Sequence, residues 1–295
     1  MRAKRHLVNV CFAILVTAGI GFTAGCADQS GAGSDPAADD NQAGAPATTG
    51  GDPVDLIGIW TVAETGGQDG EILRLAPNDL LLWQQCGWLT GAWRADQDGL
   101  LITDQHGFGG CPAGDPATPK WFTAAVGYRV EGDDRVLLDA KGQPVARLLP
   151  GGKPPTSPDM APEQALPPKV TDAERKAFTP AAALPAGLTA ASTEQLLGRW
   201  VPVEAAKSDH SKPPYVEFLA DGRWTGADGC NGQGGRWVSG SEGALLATGG
   251  VSTLMACDNV PVGAWLQESR RAGLDKDVLV LLDAAGKELG RLRKG

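Results

Sequence analysis

The strongest constraint on this chain is an internal repeat, in which segments of one half return in the other. The sequence VLLDAKG at 136–142 recurs 144 positions later as VLLDAAG at 280–286. The same offset aligns one cysteine and two tryptophans per half: Cys86 with Cys230, Trp93 with Trp237 and Trp121 with Trp265. A slightly shorter offset aligns a Leu-x-Gly-x-Trp motif at 56–60 with one at 196–200. We therefore expect two related domains, copy one (54–150) and copy two (194–295), each large enough for its own core.

The first 25 residues have the composition of a targeting segment. A basic stretch at 2–5 precedes an apolar stretch at 7–22, and the small residues at 23–25 precede Cys26. This arrangement resembles the lipobox of bacterial lipoproteins, in which the cysteine receives acyl chains such as palmitate and becomes the mature N-terminus. We expect lipidation at Cys26 and an extracytoplasmic protein anchored to the cell membrane. An ordinary signal peptide of a secreted protein and a single membrane anchor are the alternatives.

Two stretches differ in composition from the two copies. Residues 26–53 contain no Lys, Arg or aromatic residue and are predicted to be a disordered tether. Residues 151–193 are rich in Pro and Ala and are predicted to be an extended linker between the domains. Within this linker, Thr171 and Glu174 have the spacing of a capping box, which predicts one short helix.

The fold class predicted for both copies is mainly β (α+β). Each copy is expected to form a curved antiparallel sheet or incomplete barrel packed on one helix. The helix of copy two is predicted over 261–272, with Asn259 as N-cap and Gly273 as its stop, and that of copy one over 119–126, with Thr118 as cap. The predicted strands are 56–62, 72–75, 91–93, 100–103, 135–138 and 145–148 in copy one, and 196–203, 215–219, 235–238, 244–247, 278–282 and 289–292 in copy two.

Copy two carries a more specific pattern. Its opening Leu-x-Gly-x-Trp is followed by Gly-Cys-Asn at 229–231 and by Thr-Leu-Met-Ala-Cys at 253–257. In this order the elements resemble the META domain, the group that includes the HslJ-like lipoproteins. The resemblance implies a small β-rich fold, often envelope-associated, without established catalytic residues. Copy one has Gln-Cys-Gly at 85–87, and Gly109 stands in the place of Met255. We interpret it as a diverged META-like copy.

Apart from Cys11 in the targeting segment and Cys26, the expected lipidation site, four cysteines remain, two in each copy. An even number of cysteines in an exported chain indicates disulfides. The repeat favours the pairs Cys86–Cys111 and Cys230–Cys257. A zinc site is the alternative, but Cys-x-x-Cys spacing and nearby paired histidines are lacking, so no metal or cofactor is expected.

The candidate binding residues are those on which the copies differ. The repeated tryptophans are assigned to the core, whereas Trp83, Trp88 and Trp224 have no counterpart in the other copy. Such rings offer large contact areas to a sugar or a partner, with local core filling as the alternative. His106 lies in a Gly-rich stretch predicted to be a loop, and Asn231 belongs to the Gly-Cys-Asn element.

Function is constrained mainly by exclusion. The net charge is −9 and neither copy contains a basic cluster, so no nucleic-acid partner is expected. Paired carboxylates, calcium-loop spacing and a phosphate-binding glycine loop are all missing. We expect a non-catalytic binding or envelope-maintenance (stress) module rather than an enzyme, with an envelope protein or a small molecule as partner. The alternatives are a carrier with its ligand in a partly open barrel, and an envelope hydrolase with carboxylates across the interdomain cleft.

Overall fold

A computed structural model describes residues 50–67, 69–77, 79–111, 114, 116–156, 160–204, 213–250, 252–253 and 259–295. The predicted signal peptide, most of the tether and the lipidation site Cys26 lie outside the described residues. One compact unit spans residues 39–295 and contains two antiparallel sheets with short helices. The predicted fold class, mainly β with few helices, is confirmed.

The first sheet is formed by copy one. Its strands are β1 (Gly58–Ala63), β2 (Ile72–Leu75), β3 (Leu80–Trp83), β4 (Trp88–Ala95), β5 (Leu101–Gly109), β6 (Gly127–Glu131), β7 (Asp134–Leu138) and β8 (Pro144–Pro150). Helix α1 (Lys120–Ala124) lies between β5 and β6 in the chain. The strand order is β5-β4-β3-β2-β1-β8-β7-β6. An isolated bridge between Leu100 and Gly127 brings the two edges together, so the sheet curves into an incomplete barrel.

The second sheet repeats this arrangement in copy two. The chain enters it through α2 (Asp172–Ala177), β9 (Thr189–Ala190) and α3 (Thr193–Leu196). The following elements are β10 (Gly198–Pro202), β11 (Tyr215–Phe218), β12 (Arg223–Ala227), β13 (Gly232–Ser239), β14 (Leu245–Ala247), α4 (Val262–Glu268), β15 (Arg271–Asp275), β16 (Val278–Leu282) and β17 (Glu288–Lys294). The order β14-β13-β12-β11-β10-β17-β16-β15 matches that of the first sheet, with β9 added at one edge. The sequence repeat is therefore also a repeat of topology.

The Leu-x-Gly-x-Trp motif has the same hydrogen bond in both copies. The indole Nε1 of Trp60 donates to the carbonyl of Leu56 at 2.8 Å, and that of Trp200 to the carbonyl of Leu196 at 2.6 Å. Both leucines end a short helical turn, so the predictions that strands begin at 56 and 196 were wrong. Each tryptophan satisfies a carbonyl left unpaired where a turn ends and a strand begins.

The predicted helix of copy two was too long. Helix α4 ends at Glu268, and the predicted stop Gly273 lies within β15, which pairs with β16 and β9. Asn259 is not its cap, because the Asn259 amide donates to the Asp228 carboxylate at 2.8 Å instead. Strand pairing thus takes over residues that, read locally, continue a helix.

The predicted elements of copy one also needed correction. Helix α1 is shorter than 119–126, and the Thr118 hydroxyl bonds to the Gln105 side chain rather than capping the helix. Strand β3 was not predicted because all four of its residues are buried, which leaves no polar alternation to detect. Strand β6 of copy one was missed as well, as were β12 and β15 of copy two.

The described residues between 151 and 193 pack along both copies. The predicted capping box of Thr171 and Glu174 is confirmed at the start of α2. Phe178 then stacks on Trp93 of copy one with ring centroids 5.7 Å apart, while β9 pairs with β15 of copy two. Among the described residues, no helix has both the length and the apolar character that crossing a membrane requires.

The two copies contact each other through equivalent surfaces. Arg94 of copy one donates to two carbonyls of copy two, and Arg236 of copy two donates to two carbonyls of copy one. The acceptors occupy aligned positions: Ala247 with Thr103, and Gln267 with Thr123. A separate apolar cluster contains side chains from both copies: Leu100, Ile102, Val126, Val238, Ala244 and Leu246. The donors do not align in the same way, since Arg94 follows Trp93 whereas Arg236 precedes Trp237. The junction is therefore only approximately symmetric.

Candidate functional site

A cleft of about 520 Å³ lies beside the disulfide of copy one. Cys86, in the turn between β3 and β4, is bonded to Cys111 just beyond β5, as predicted. We call this cleft the disulfide cleft; its walls are formed by 65–67, 84–86 and 116–121 together with Glu71 and Cys111. The disulfide joins two of these walls covalently.

The carboxylate of Glu71 lies in the wall of the disulfide cleft. Glu71 directly precedes the first residue of β2, yet it is only 5% exposed. Its two oxygens accept hydrogen bonds from Trp121 Nε1 and Gln84 Nε2, both at 2.9 Å. Because both donors are neutral, no formal charge on them compensates an ionised Glu71.

Gln84 is held in one orientation beside Glu71. Its Nε2 donates to Glu71 and, at 3.1 Å, to the carbonyl of Ala117. The opposite end of the amide, Oε1, is buried and has no hydrogen-bond partner among the residues that the structure describes. Neither Glu71 nor Gln84 was singled out from the sequence. The available signal was a Glu at the start of an apolar strand, which is common in solvated turns.

Two of the candidate tryptophans are buried: Trp83 is 3% exposed and Trp224 is 1% exposed. Trp224 belongs to the interior cluster of the second sheet, whereas Trp83 is buried outside that of the first. The indole of Trp224 donates to the carbonyl of Thr248 at 2.9 Å. Five of the six repeated tryptophans are buried as predicted, while Trp265 is half-buried over Gly290.

Trp88 is half-buried and covers the glycines of the neighbouring strand. It is paired with Gly109 across β4 and β5, and its ring would collide with a Cβ at Gly109 or Gly110. The ring therefore replaces the side chains missing on the adjacent strand. Trp88 thus packs against the backbone that leads into Cys111.

His106 lies within β5, so the prediction of a loop here was wrong. The His106 ring is 3.6 Å from the Asp104 carboxylate. It lines a groove between the copies that Phe178 also lines. It does not line the disulfide cleft.

Asn231 belongs to a loop of copy two that surrounds a buried carboxylate. Asp228 is 2% exposed and accepts hydrogen bonds from the backbone of Cys230 and Asn231 and from three side-chain amides: Asn231, Gln233 and Asn259. Burial opposes ionisation of Asp228, but the surrounding N–H donors outweigh it and hold the pKa of Asp228 below its usual range. The Gly-Cys-Asn element is thus organised around Asp228, which sequence reasoning did not identify.

Cys230 is also disulfide-bonded, while its predicted partner Cys257 lies outside the described residues, as does Met255. No set of three or more His, Cys, Asp or Glu side chains in the described part of the chain is grouped as a metal site would require.

Comparison with known families identifies copy two. The family model described as META domain matches residues 194–295, which are the residues assigned to copy two from its motifs. No curated protein and no solved structure matches the chain. Residues 194–295 of this chain are a META domain.

Proposed function

We propose that this protein is a lipid-anchored, extracytoplasmic binding module of the cell envelope, built from a META domain and a diverged second copy of it. Its ligand would bind in the disulfide cleft. The observation that carries this proposal is the cleft itself, which combines covalently joined walls with polar groups that the chain does not fully use. Small-molecule sites usually place a few polar groups on a preformed concave surface.

Three further features support the proposal, two for the envelope assignment and one for the second copy. The Cys86–Cys111 disulfide suits an oxidising compartment. The lipobox-like sequence before Cys26 would supply the anchor, and 26–53 the tether. The identical strand order of the two sheets supports a common origin for copy one and the META domain.

The anchor is tested by replacing the proposed acylation site. Wild-type protein in its native envelope should incorporate labelled palmitate and remain with the membrane fraction. Cys26→Ser should lose both the label and the membrane association, whereas Cys11→Ser should retain them. Equal labelling of Cys26→Ser and wild-type protein would contradict the lipoprotein assignment.

The binding site is tested by site-specific photocrosslinking in intact cells. A crosslinker placed at Thr118, on the exposed rim of the disulfide cleft, should yield a defined adduct. The same group at Asp277, in a turn of copy two, should not yield that adduct. Identical adducts at Thr118 and Asp277 would contradict the assignment of the ligand site to the disulfide cleft.

The two alternative functions fit the structure less well. Tryptophan and leucine side chains fill the interior of each described sheet, which leaves a carrier little room for a ligand there. The hydrolase alternative draws on Asp96 and Asp98, which line a cavity of about 140 Å³ between the copies. However, the Asp96 carboxylate accepts from the Leu100 N–H at 2.8 Å and thereby closes its own turn. A structural role for Asp96 is the simpler explanation.

A further inference from the structure

The wall of the disulfide cleft contains more hydrogen-bond acceptors than donors to fill them. An ionised carboxylate offers about four lone-pair positions, and Glu71 has two hydrogen bonds, one on each oxygen. Gln84 adds a buried Oε1 that no donor of the described residues reaches. The Gln84 amide cannot reverse without losing both bonds of its Nε2, so its orientation is fixed by its neighbours.

No cationic side chain compensates Glu71 within the described residues. The ion pairs of copy one involve Arg74, Arg129 and Arg147 with other carboxylates. Lys120 lines the cleft but is not paired with Glu71. Two neutral donors stabilise a buried carboxylate less than the five N–H donors that surround Asp228 do, so Glu71 would gain from a positive group that approaches it.

The position of Glu71 makes such an approach feasible from outside. Its wall faces an open cleft whose other side is formed by the exposed residues Ala117, Thr118 and Lys120. An ammonium group has three N–H donors and a positive charge. It would therefore supply both the hydrogen-bond donors and the compensating charge that the wall lacks. A neutral donor would fill an acceptor position without compensating the charge.

We propose that the disulfide cleft binds a ligand through a primary ammonium group, with the Glu71 carboxylate as its recognition element and Gln84 positioning that carboxylate. This inference rests on the proposed binding function and specifies the ligand class of the same site. Copy two provides an internal contrast, because five N–H donors already surround its buried Asp228. Ammonium recognition is therefore assigned to copy one alone.

The experiment compares two probes that differ only in their charged end. The full-length protein, labelled with ¹⁵N in its indoles, is titrated in detergent with N-acetyl-lysine amide and with N-acetyl-norleucine amide. The indole N–H of Trp121, assigned with Trp121→Phe, reports on the cleft because it donates to Glu71. We expect a saturable shift of this signal with the lysine derivative. Its affinity should be at least about tenfold higher than that of the norleucine derivative.

Variants test whether Glu71 is responsible. Glu71→Gln should reduce the affinity for the lysine derivative to that for the norleucine derivative. Glu163→Gln, which removes the same charge from an exposed position in residues 151–193, should leave the affinity unchanged. The comparison of the two probes on wild-type protein stays decisive even if Glu71→Gln does not fold.

Two results would overturn the inference. Equal binding of both probes would show a functional cleft that does not select an ammonium group, and would leave the proposed binding function intact. No response of Trp121 to either probe would exclude ammonium recognition at Glu71. The photocrosslinking from Thr118 reports separately on the binding function itself.

Discussion

At the residue scale, Asp228 shows how one buried charge can organise a loop. Its carboxylate receives five N–H donors, which belong to Cys230, Asn231, Gln233 and Asn259. Asp228→Ala would leave these buried donors without an acceptor and should lower the free energy of unfolding by about 3 kcal/mol. Urea denaturation would measure the loss, with the exposed Asp277→Ala as control. Equal stability of the two variants would show that the loop does not depend on the charge.

Asp96 should make the stability of the protein fall as the pH rises. Burial raises the pKa of Asp96 to about 6, although the Leu100 N–H opposes the shift. The folded state therefore holds this proton more tightly than the unfolded chain does. The stability that Asp96 contributes is complete below pH about 4 and is lost as the pH rises through about 6.

Asp96→Asn isolates this effect, because it keeps an acceptor for the Leu100 N–H and removes the titration. The wild-type protein should lose about 2 kcal/mol relative to Asp96→Asn between pH 4 and pH 7. Asp277→Asn should follow the wild-type curve. A constant difference between wild type and Asp96→Asn over this range would mean that Asp96 titrates normally.

Residue roles were predictable from the sequence only where the repeat provided a comparison. The aligned positions identified the core role of Trp60 and Trp200 and the pairing of Cys86 with Cys111. Glu71 and Asp228 escaped notice because their significance depends on burial. A carboxylate next to a strand or in a glycine-rich turn resembles any solvated acid until its neighbours are known.

At the scale of elements, Trp88 and the glycines beside it form one unit. Gly110 has a φ of +74°, and a Cβ there would lie 2.0 Å from the Trp88 ring. Gly110→Ala should therefore cost more than Gly132→Ala, which has a φ of +61° but no atom within 4 Å of its Cβ. We expect about 1 kcal/mol for Gly132→Ala and at least about 2 kcal/mol for Gly110→Ala.

Thermal denaturation of both variants would measure the difference. The additional Trp88→Ala change should reduce the cost of Gly110→Ala toward that of Gly132→Ala, because it removes the ring. If Gly110→Ala and Gly132→Ala lower the stability equally in protein that retains Trp88, the Trp88 ring moves aside freely.

Element boundaries were less predictable than the presence of elements. The closing hairpins and the helices α1, α2 and α4 were found from turn residues and apolar patterns, whereas α3 was not. The end of α4 and the existence of β15 were not found either, because Arg271–Asp275 forms a strand by pairing with β16 and β9. The pairing with β9 joins segments far apart in the chain, which local sequence does not record.

At the scale of the whole molecule, the repeat gives the two copies a shared junction. Arg236 is half-buried and donates to the carbonyls of Thr103 and Thr123, while Arg94 donates to the carbonyls at the aligned positions, Ala247 and Gln267. Burial lowers the pKa of Arg236, and the neighbouring Asp104 opposes that shift. The apolar cluster formed by both copies joins the two cores at the same junction. We therefore expect the copies to unfold together, in a single calorimetric transition.

Arg236→Ala tests this coupling, because it leaves two carbonyls at the junction without their donor. We expect a loss of about 2 kcal/mol, whereas Arg223→Ala, at an exposed ion pair, should cost under about 1 kcal/mol. Removing Arg94 as well should split the transition in two, since only the apolar cluster would then link the copies. Calorimetry of the four proteins measures both effects. Two separate transitions in the wild type, or equal costs at Arg236 and Arg223, would show that each copy folds independently of the junction.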